Sequence, residues 1–168
     1  MARLQQQYVN PGFYGIGIHN LVHDANIGTL WRSGYILGAA FIFTVGRPYR
    51  QQRGDVTHAW SKIPLYHYDD IDDLKKHLPH ATRLIGVEMS EKACAIEHYN
   101  HPDRAIYLLG NEKSGLPRPV TDACHELIQL PGEFSLNVSV AGSLVLYDRV
   151  AKTGRALPQR ADLRPKTT

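Results

Sequence analysis

Short apolar runs alternate along the chain with segments of helical periodicity. Five runs have the length of β-strands, and several are apolar throughout, which indicates strands that are buried on both faces. They cover residues 14–22, 41–46, 83–89, 105–110 and 126–131. Because helical segments separate these runs, the pattern predicts an α/β domain built on a parallel sheet.

Four segments between or after these runs predict helices. They cover residues 26–38, 70–78, 117–125 and 136–152. The first places Ile27, Leu30, Trp31 and Leu37 near one face. The second begins acidic and ends basic, as the helix dipole favours, and the third begins with prolines, which suit a first helical turn. The last is the most apolar, and Ser135 is its expected N-cap.

Size and composition predict a single domain spanning residues 1–168. The chain is 43% apolar and 21% charged, as in soluble globular proteins. No apolar run approaches the roughly 20 residues that span a bilayer, and the N-terminal segment lacks the apolar core of a signal peptide. We therefore expect a cytoplasmic protein without a membrane partner.

Neither the cysteines nor the histidines suggest a metal site. Cys94 and Cys124 lie far apart and outside any CxxC pattern, so a reduced pair is expected over a disulfide, and zinc has no support. The nine histidines show no ligand spacing beside carboxylates. No metal is expected.

Basic residues cluster in two segments of a chain whose net charge is +3. Arg47, Arg50 and Arg53 lie within seven residues, and the tail from about residue 152 to 168 is also basic. Two interpretations stay open, namely solvated surface charge and contacts to nucleic-acid phosphates.

Polar loops follow three of the predicted strands, where parallel α/β sheets bind ligands. In the first, "HDANIGTLWRS", Arg32 comes six residues after Asn26, so both side chains could face one side of the helix. A capping asparagine and a surface arginine would explain the same residues.

The second loop, "LLGNEKSGLP", is not a nucleotide phosphate loop. Lys113 and Ser114 precede Gly115, whereas the phosphate-loop motif places its lysine and hydroxyl residue after the second glycine. The segment "GFYGIG" likewise lacks the glycine spacing of a dinucleotide fingerprint. An ordinary turn would need glycine but would not need Glu112 beside Asn111.

The third loop, "LPGEFSLNVS", places polar residues at every second position where the last helix begins. An N-cap explains only one of Ser135, Asn137 and Ser139. The other two are poor helix formers unless their side chains bond something.

Together, "NIGTLWRS", "LLGNEKSGLP" and "LPGEFSLNVSVAGSLVLYD" resemble the three motifs of the SpoU/TrmH family within the SPOUT methyltransferase class. They occur in family order from about residue 14 to 150, and the third is the most specific. The resemblance implies an RNA ribose 2'-O-methyltransferase that uses S-adenosylmethionine. It also implies a deep trefoil knot at about residues 105–150 and a homodimer with active sites at the subunit interface.

The motifs carry the family's site positions onto this chain. The implied catalytic residues are Asn26, Arg32, Glu112, Ser135 and Asn137. The implied cofactor contacts, largely through backbone groups, are Val87, Gly110, Leu130, Leu136 and Ser139. The expected RNA contacts are Arg32, Arg47, Arg50 and Arg53. One departure is that only residues 132–134 separate the proline and serine of the third motif, so the adenosine pocket is expected to differ there.

The implied reaction is attack of a ribose 2'-oxygen on the sulfonium methyl group. A guanidinium is effectively always protonated, so we expect Arg32 to anchor a phosphate and stabilise developing charge. Catalysis by Arg32 as a free base is the alternative. We expect tRNA over rRNA, because small members of the family often act on tRNA, and we expect no separate N-terminal RNA-binding domain. A non-catalytic RNA-binding dimer and a base-methylating relative are the competing functions.

Overall fold

The computed structural model describes residues 12–22, 24–50, 58–154 and 157, apart from the side chains of residues 24–26. In this part of the chain, seven parallel strands form one sheet in the order β3-β2-β1-β6-β4-β7-β5. The strands are β1 (Phe13–His19), β2 (Phe41–Val45), β3 (Leu65–Tyr68), β4 (Arg83–Val87), β5 (Cys94–Ala95), β6 (Arg104–Leu109) and β7 (Glu126–Gln129).

Four α-helices cover the two faces of the sheet. They are α1 (Asp24–Ile36), α2 (Ile71–Lys76), α3 (Arg118–Ala123) and α4 (Val138–Thr153), and short 3₁₀ turns form at Ala59–Ser61 and Ile96–His98. The four predicted helices and five predicted strands are confirmed with shifted ends. The sequence pattern missed β3 and β5, and the knot stays a prediction from the family resemblance.

The core has two parts, one on each face of the sheet. Ile16 of β1 and Tyr107 of β6 belong to the part that packs under α1 and α4, where Trp31 is fully buried. Phe43 and Leu108 belong to the part under α2 and α3. The predicted burial of the strands on both faces is therefore confirmed.

The two glycines of β1 make room for aromatic rings from the neighbouring strand. Gly15 pairs with Phe41 and Gly17 pairs with Phe43 in the parallel register. A Cβ atom on either glycine would lie within 2.6 Å of the facing ring. This explains why the run "YGIGIH" alternates bulky residues with glycine.

The C-terminal half of α4 is fixed to the amino end of the sheet by a buried arginine. The guanidinium of Arg149 donates to the carbonyl of Pro102 at 2.6 Å and to that of Asp103 at 3.0 Å. It also lies 4.6 Å from the centre of the Tyr14 ring. These contacts hold α4 firmly at the end opposite to its N-terminus.

None of the described helices is long and apolar enough to cross a membrane.

Candidate active site

A cavity of about 610 Å³ opens at the carboxyl ends of β4, β6 and β7. This is the edge of a parallel sheet where ligands bind, and the volume lies within the range of small-molecule sites, roughly 300–1,000 Å³. Its walls come from the residues just after β4, from the β6–α3 loop (residues 110–117) and from the β7–α4 loop (residues 130–137).

The β6–α3 loop is a tight turn held by one asparagine. Asn111 Oδ1 accepts hydrogen bonds from the backbone N–H groups of Lys113 and Ser114, both at 3.0 Å, and the N–H of Gly115 donates to the Asn111 carbonyl at 3.0 Å. Glu112 is thereby fixed on the cavity wall, half-buried, with Oε2 shielded from solvent.

Two glycines allow this turn to close. Gly115 has a φ of +61°, which glycine adopts without a Cβ penalty. At Gly110, a Cβ atom would lie 2.2 Å from the carbonyl carbon of Gly115. The backbone on the two sides of the turn is therefore in direct contact.

The last helix is capped by Asn137, and the expectation that Ser135 caps it was wrong. Asn137 Oδ1 accepts from the Ser139 N–H at 3.0 Å and from the Ser139 hydroxyl at 2.6 Å, and its carbonyl accepts the helical bond from Ala141. Asparagine and serine are nearly equal as caps, so residue type alone could not place the boundary. Ser135 lies instead in the exposed loop that lines the cavity.

Seven of the predicted site residues line this one cavity. They are Val87, Gly110, Glu112, Leu130, Ser135, Leu136 and Asn137. Ser139 does not line it, because it is buried and its N–H and hydroxyl both bond to the cap. The second and third sequence motifs therefore meet in space, as the polar loops predicted.

None of the described side chains of α1 lines the cavity, so within one chain the described residues bring together only the second and third motifs. Residue 26 lies in the first turn of α1, but its side chain is outside the described part. Arg32 is exposed on α1, one turn before Ile36, which is also exposed. The helix packs against α4, where Ser143 Oγ donates to Ser33 Oγ at 2.7 Å.

The outer surfaces of α1 and α4 are unusually apolar for exposed helices. Five large apolar side chains there are between 42% and 64% exposed, namely Tyr35, Ile36, Val140, Leu144 and Tyr147. The three on α4 recur at helical spacing, so they share one face of that helix. We call these five residues the apolar helix face.

The predicted RNA-binding arginines differ in their surroundings. Arg47 Nη1 donates to the carbonyls of Leu21 and Val22, both at 3.2 Å, so it braces the loop after β1. Arg50 is exposed, and Arg53 lies outside the described residues.

Three carboxylates and one ammonium group line the cavity. The net charge of its lining is therefore negative, although the net charge of the whole chain is positive. The acidic residues are Glu88, Glu112 and Glu133, and the basic one is Lys113. Val87, Leu130 and Leu136 provide apolar wall. Apolar surface for a nucleoside together with negative charge suits a ligand such as S-adenosylmethionine, whose sulfur and amino group are cationic. Glu88 and Met89 were not predicted because they lie outside the three motifs, and Phe134 was not predicted because it is not one of the family's site positions within the third motif.

Metal ligands and a disulfide are absent from the described part of the chain. No group of three or more histidine, cysteine, aspartate or glutamate residues there could hold a metal ion. Cys94 and Cys124 are free thiols. Burial raises the pKa of the Cys124 thiol to about 11, so it stays protonated at neutral pH.

Comparison with known sequences finds the same motifs in RNA-modifying proteins. Residues 15–147 match the model of a family described as the SpoU rRNA Methylase family. The chain is 26% identical over 147 residues to the 23S rRNA (guanosine-2'-O-)-methyltransferase RlmB of Acinetobacter baylyi, which covers 79% of this chain and 57% of that protein. It is 35% identical over 68 residues to the mouse tRNA (guanosine(18)-2'-O)-methyltransferase TARBP1, covering 39% of this chain and 4% of that protein. The chain thus spans about half, or much less, of these relatives.

Solved structures share the fold at low sequence identity. The SpoU methyltransferase AviRb of Streptomyces viridochromogenes, in complex with the cofactor AdoMet, matches with a TM-score of 0.76 and 21% identity over 84% of this chain and 58% of that one. A structure described as giving insights into the 2-OH methylation of C/U34 on tRNA matches with a TM-score of 0.73 and 21% identity. That match covers 86% of this chain and 99% of the other.

Proposed function

This chain belongs to the SpoU rRNA methylase family, and we propose that it methylates a ribose 2'-hydroxyl of RNA with S-adenosylmethionine as methyl donor. The observation that supports this most strongly is the single cavity lined by Glu112 of the second motif and by Ser135 and Asn137 of the third. Family membership confirms the resemblance seen in the sequence.

We propose that the cavity holds the methyl donor. S-adenosylmethionine, when bound, supplies a methyl group on a positively charged sulfur. The apolar side chains of Val87, Leu130 and Leu136 would flank the nucleoside, and backbone groups at Gly110 and Leu130 would orient it. The carboxylates of the lining would favour the cationic part of the ligand over an anion.

We propose that two copies of the chain associate through the apolar helix face. Arg32 lies on the exposed side of α1 beside this face and does not line the cavity of its own chain. Pairing of two α1–α4 layers would bury the exposed apolar residues and bring Arg32 towards the cavity of the partner. The dimer would therefore complete the active site.

In this arrangement the residues act by positioning and by electrostatics. Arg32 would bind the phosphate next to the target ribose and stabilise negative charge that develops on the 2'-oxygen. The Asn137 side-chain oxygen is committed to the helix cap, so its amide group is the part that could donate to the ribose. Glu112, held by the turn, and Ser135 would orient the ribose and the arginine.

We propose tRNA as the substrate class, in the cytoplasm. The support is the match in fold to the structure that concerns C/U34 of tRNA, of which this chain covers 99%. Arg50, with Arg47 and Arg53, would contact phosphates. RNA affinity should then fall as salt increases, and an affinity that is independent of salt would remove these arginines from the proposal.

The test is transfer of labelled methyl groups to total RNA, followed by mapping of the modified nucleotide, with position 34 of tRNA examined first. A linkage that resists alkaline and nuclease cleavage identifies a 2'-O-methyl group, whereas methylation of a base refutes the ribose assignment. The Arg32→Ala variant should lose transfer in a single turnover but keep cofactor binding. Binding of RNA without any transfer would identify a non-catalytic RNA-binding protein.

A further inference from the structure

Glu88 connects the end of β4 to strand β7 and to the β6–α3 loop, although it belongs to none of the sequence motifs. It follows β4 directly, and its backbone N–H donates to the carbonyl of Ile128 in β7 at 3.0 Å. Its carboxylate reaches the β6–α3 loop, where Oε2 accepts from the N–H of Leu116 at 2.5 Å. The other oxygen, Oε1, accepts from the N–H of Met89 at 3.1 Å, which fixes the side chain.

The fit of this carboxylate against the β6–α3 loop is tight. A Cβ atom on Gly115 would lie 2.4 Å from Glu88 Oε2, so the carboxylate occupies the space that a side chain would need. Gly115 also has positive φ, and its N–H closes the turn that carries Glu112. The carboxylate therefore holds the turn from one side while Asn111 holds it from within.

We propose that Glu88 is a positioning residue for the methyl donor. It ties the wall that carries Glu112 to the ends of β4 and β7, so the cavity keeps its width and the turn keeps its orientation. This inference rests on the proposed function, because it assigns Glu88 to the donor site of that reaction. Without the tie, the turn samples open conformations, and the apparent affinity for the donor falls by the fraction of time that the site is open.

The experiment compares the Glu88→Ala and Glu88→Gln variants with Glu91→Ala as control. Glu91 is exposed three positions further along and does not line the cavity, so the control removes the same charge without removing the tie. Titration calorimetry measures the Kd of S-adenosylmethionine and of S-adenosylhomocysteine in the absence of RNA. Filter binding measures the affinity for bulk tRNA, and thermal unfolding of the ligand-free protein measures stability.

For Glu88→Ala we expect both small ligands to bind about tenfold more weakly, the scale of a lost hydrogen bond to a charged group. Affinity for tRNA should stay within about twofold of the wild type, and Glu91→Ala should match the wild type throughout. Glu88→Gln should be intermediate for both ligands, because its amide oxygen can still accept from Leu116 while its NH₂ group opposes the Met89 N–H.

Three results would overturn the assignment. The first is wild-type affinity for both ligands in Glu88→Ala. The second is an equal loss of tRNA affinity, which general unfolding would cause. The third is a Glu88→Gln variant that binds the cationic S-adenosylmethionine more weakly but binds S-adenosylhomocysteine as the wild type does. That result would indicate a purely electrostatic role for Glu88. If wild-type protein binds neither ligand, the proposed function itself fails, and that result is distinct from the other three.

Hydrogen exchange provides a second measurement if Glu88→Ala does not fold. In Glu88→Gln the Leu116 amide should exchange faster than in the wild type, while amides of the central strand β6 keep their rates. An unchanged rate at Leu116 would overturn the proposal.

Discussion

Replacing Gly110 by alanine tests whether the two sides of the β6–α3 loop are in contact as described. The new Cβ atom would lie 2.2 Å from the carbonyl carbon of Gly115 and 2.5 Å from the N atom of Leu116. Carbon atoms in proteins pack at roughly 3.5–4.0 Å, so the backbone must move by more than about 1 Å. No side chain can rotate away, because the obstructing atoms are backbone held by Asn111 and Glu88.

We expect this overpacking to destabilise the protein by about 1–3 kcal/mol. At this chain length each kcal/mol lowers the melting temperature by about 2–4 °C, so a fall of roughly 2–12 °C should be visible in thermal unfolding. The displaced loop also moves the cavity wall that carries Glu112. Titration calorimetry should therefore show a weaker Kd for S-adenosylmethionine.

Gly34→Ala is the matched control. Its Cβ atom would lie 3.3 Å from a methyl group of Ile16 and 3.4 Å from a methyl group of Ile42. Both contacts are to side chains under α1 rather than to backbone, and they are longer than those at Gly110. This change should leave the Kd for S-adenosylmethionine within about twofold of the wild type. If Gly110→Ala keeps both the wild-type melting temperature and the wild-type Kd, the contact between Gly110 and Gly115 does not constrain the site.

Three further predictions concern the helix cap, the buried histidine and the apolar helix face. Asn137→Ala should lower the free energy of unfolding in urea by about 1 kcal/mol, because the cap of α4 is lost, and Asn137→Ser should restore most of it. Burial lowers the pKa of His101 below its usual 6.5 despite the bond to Asp148. The unfolded state therefore binds more protons below about pH 6.5, so stability should fall as the pH drops through this range, and His101→Gln should reduce that slope in pH-dependent thermal unfolding. Leu144→Glu should shift the protein to monomers in sedimentation analysis and abolish methyl transfer, whereas a dimer with wild-type activity would refute association through the apolar helix face.

Periodicity was sufficient to predict most of the sheet and all four helices. The run "YGIGIH" and the apolar residues of α1 pack as their spacing indicated. Leu65–Tyr68 was missed because the short edge strand "LYHY" is half-buried or exposed and carries no apolar run. Cys94–Ala95 was missed because two residues are too short for any periodicity.

The candidate site was predictable where its residues lie in the sequence motifs. The loops that begin at Gly110 and Leu130 do share a cavity. The N-cap was misplaced because Ser135 and Asn137 are equally suitable by type, and only the backbone decides between them. Glu88 gave no signal, since a single carboxylate after a strand is usually solvated. Arg32 does not line the cavity of its own chain, and its proposed place at the cavity of a second chain is not something that periodicity can encode.

The strand order has a consequence for how the chain can fold during synthesis. Strand β6 joins β1 to β4 in the middle of the sheet, yet residues 104–109 come after five of the other six strands. A nascent chain that ends before residue 104 therefore has only the β3-β2-β1 sheet, with an open edge at β1, and the strands β4 and β5 without their neighbours. Such open edges can pair with another chain. The sheet cannot be completed until β6, which is distant from β1 along the chain, has been synthesised, so folding should be slow. The incomplete chain on the ribosome should be the species most prone to aggregate.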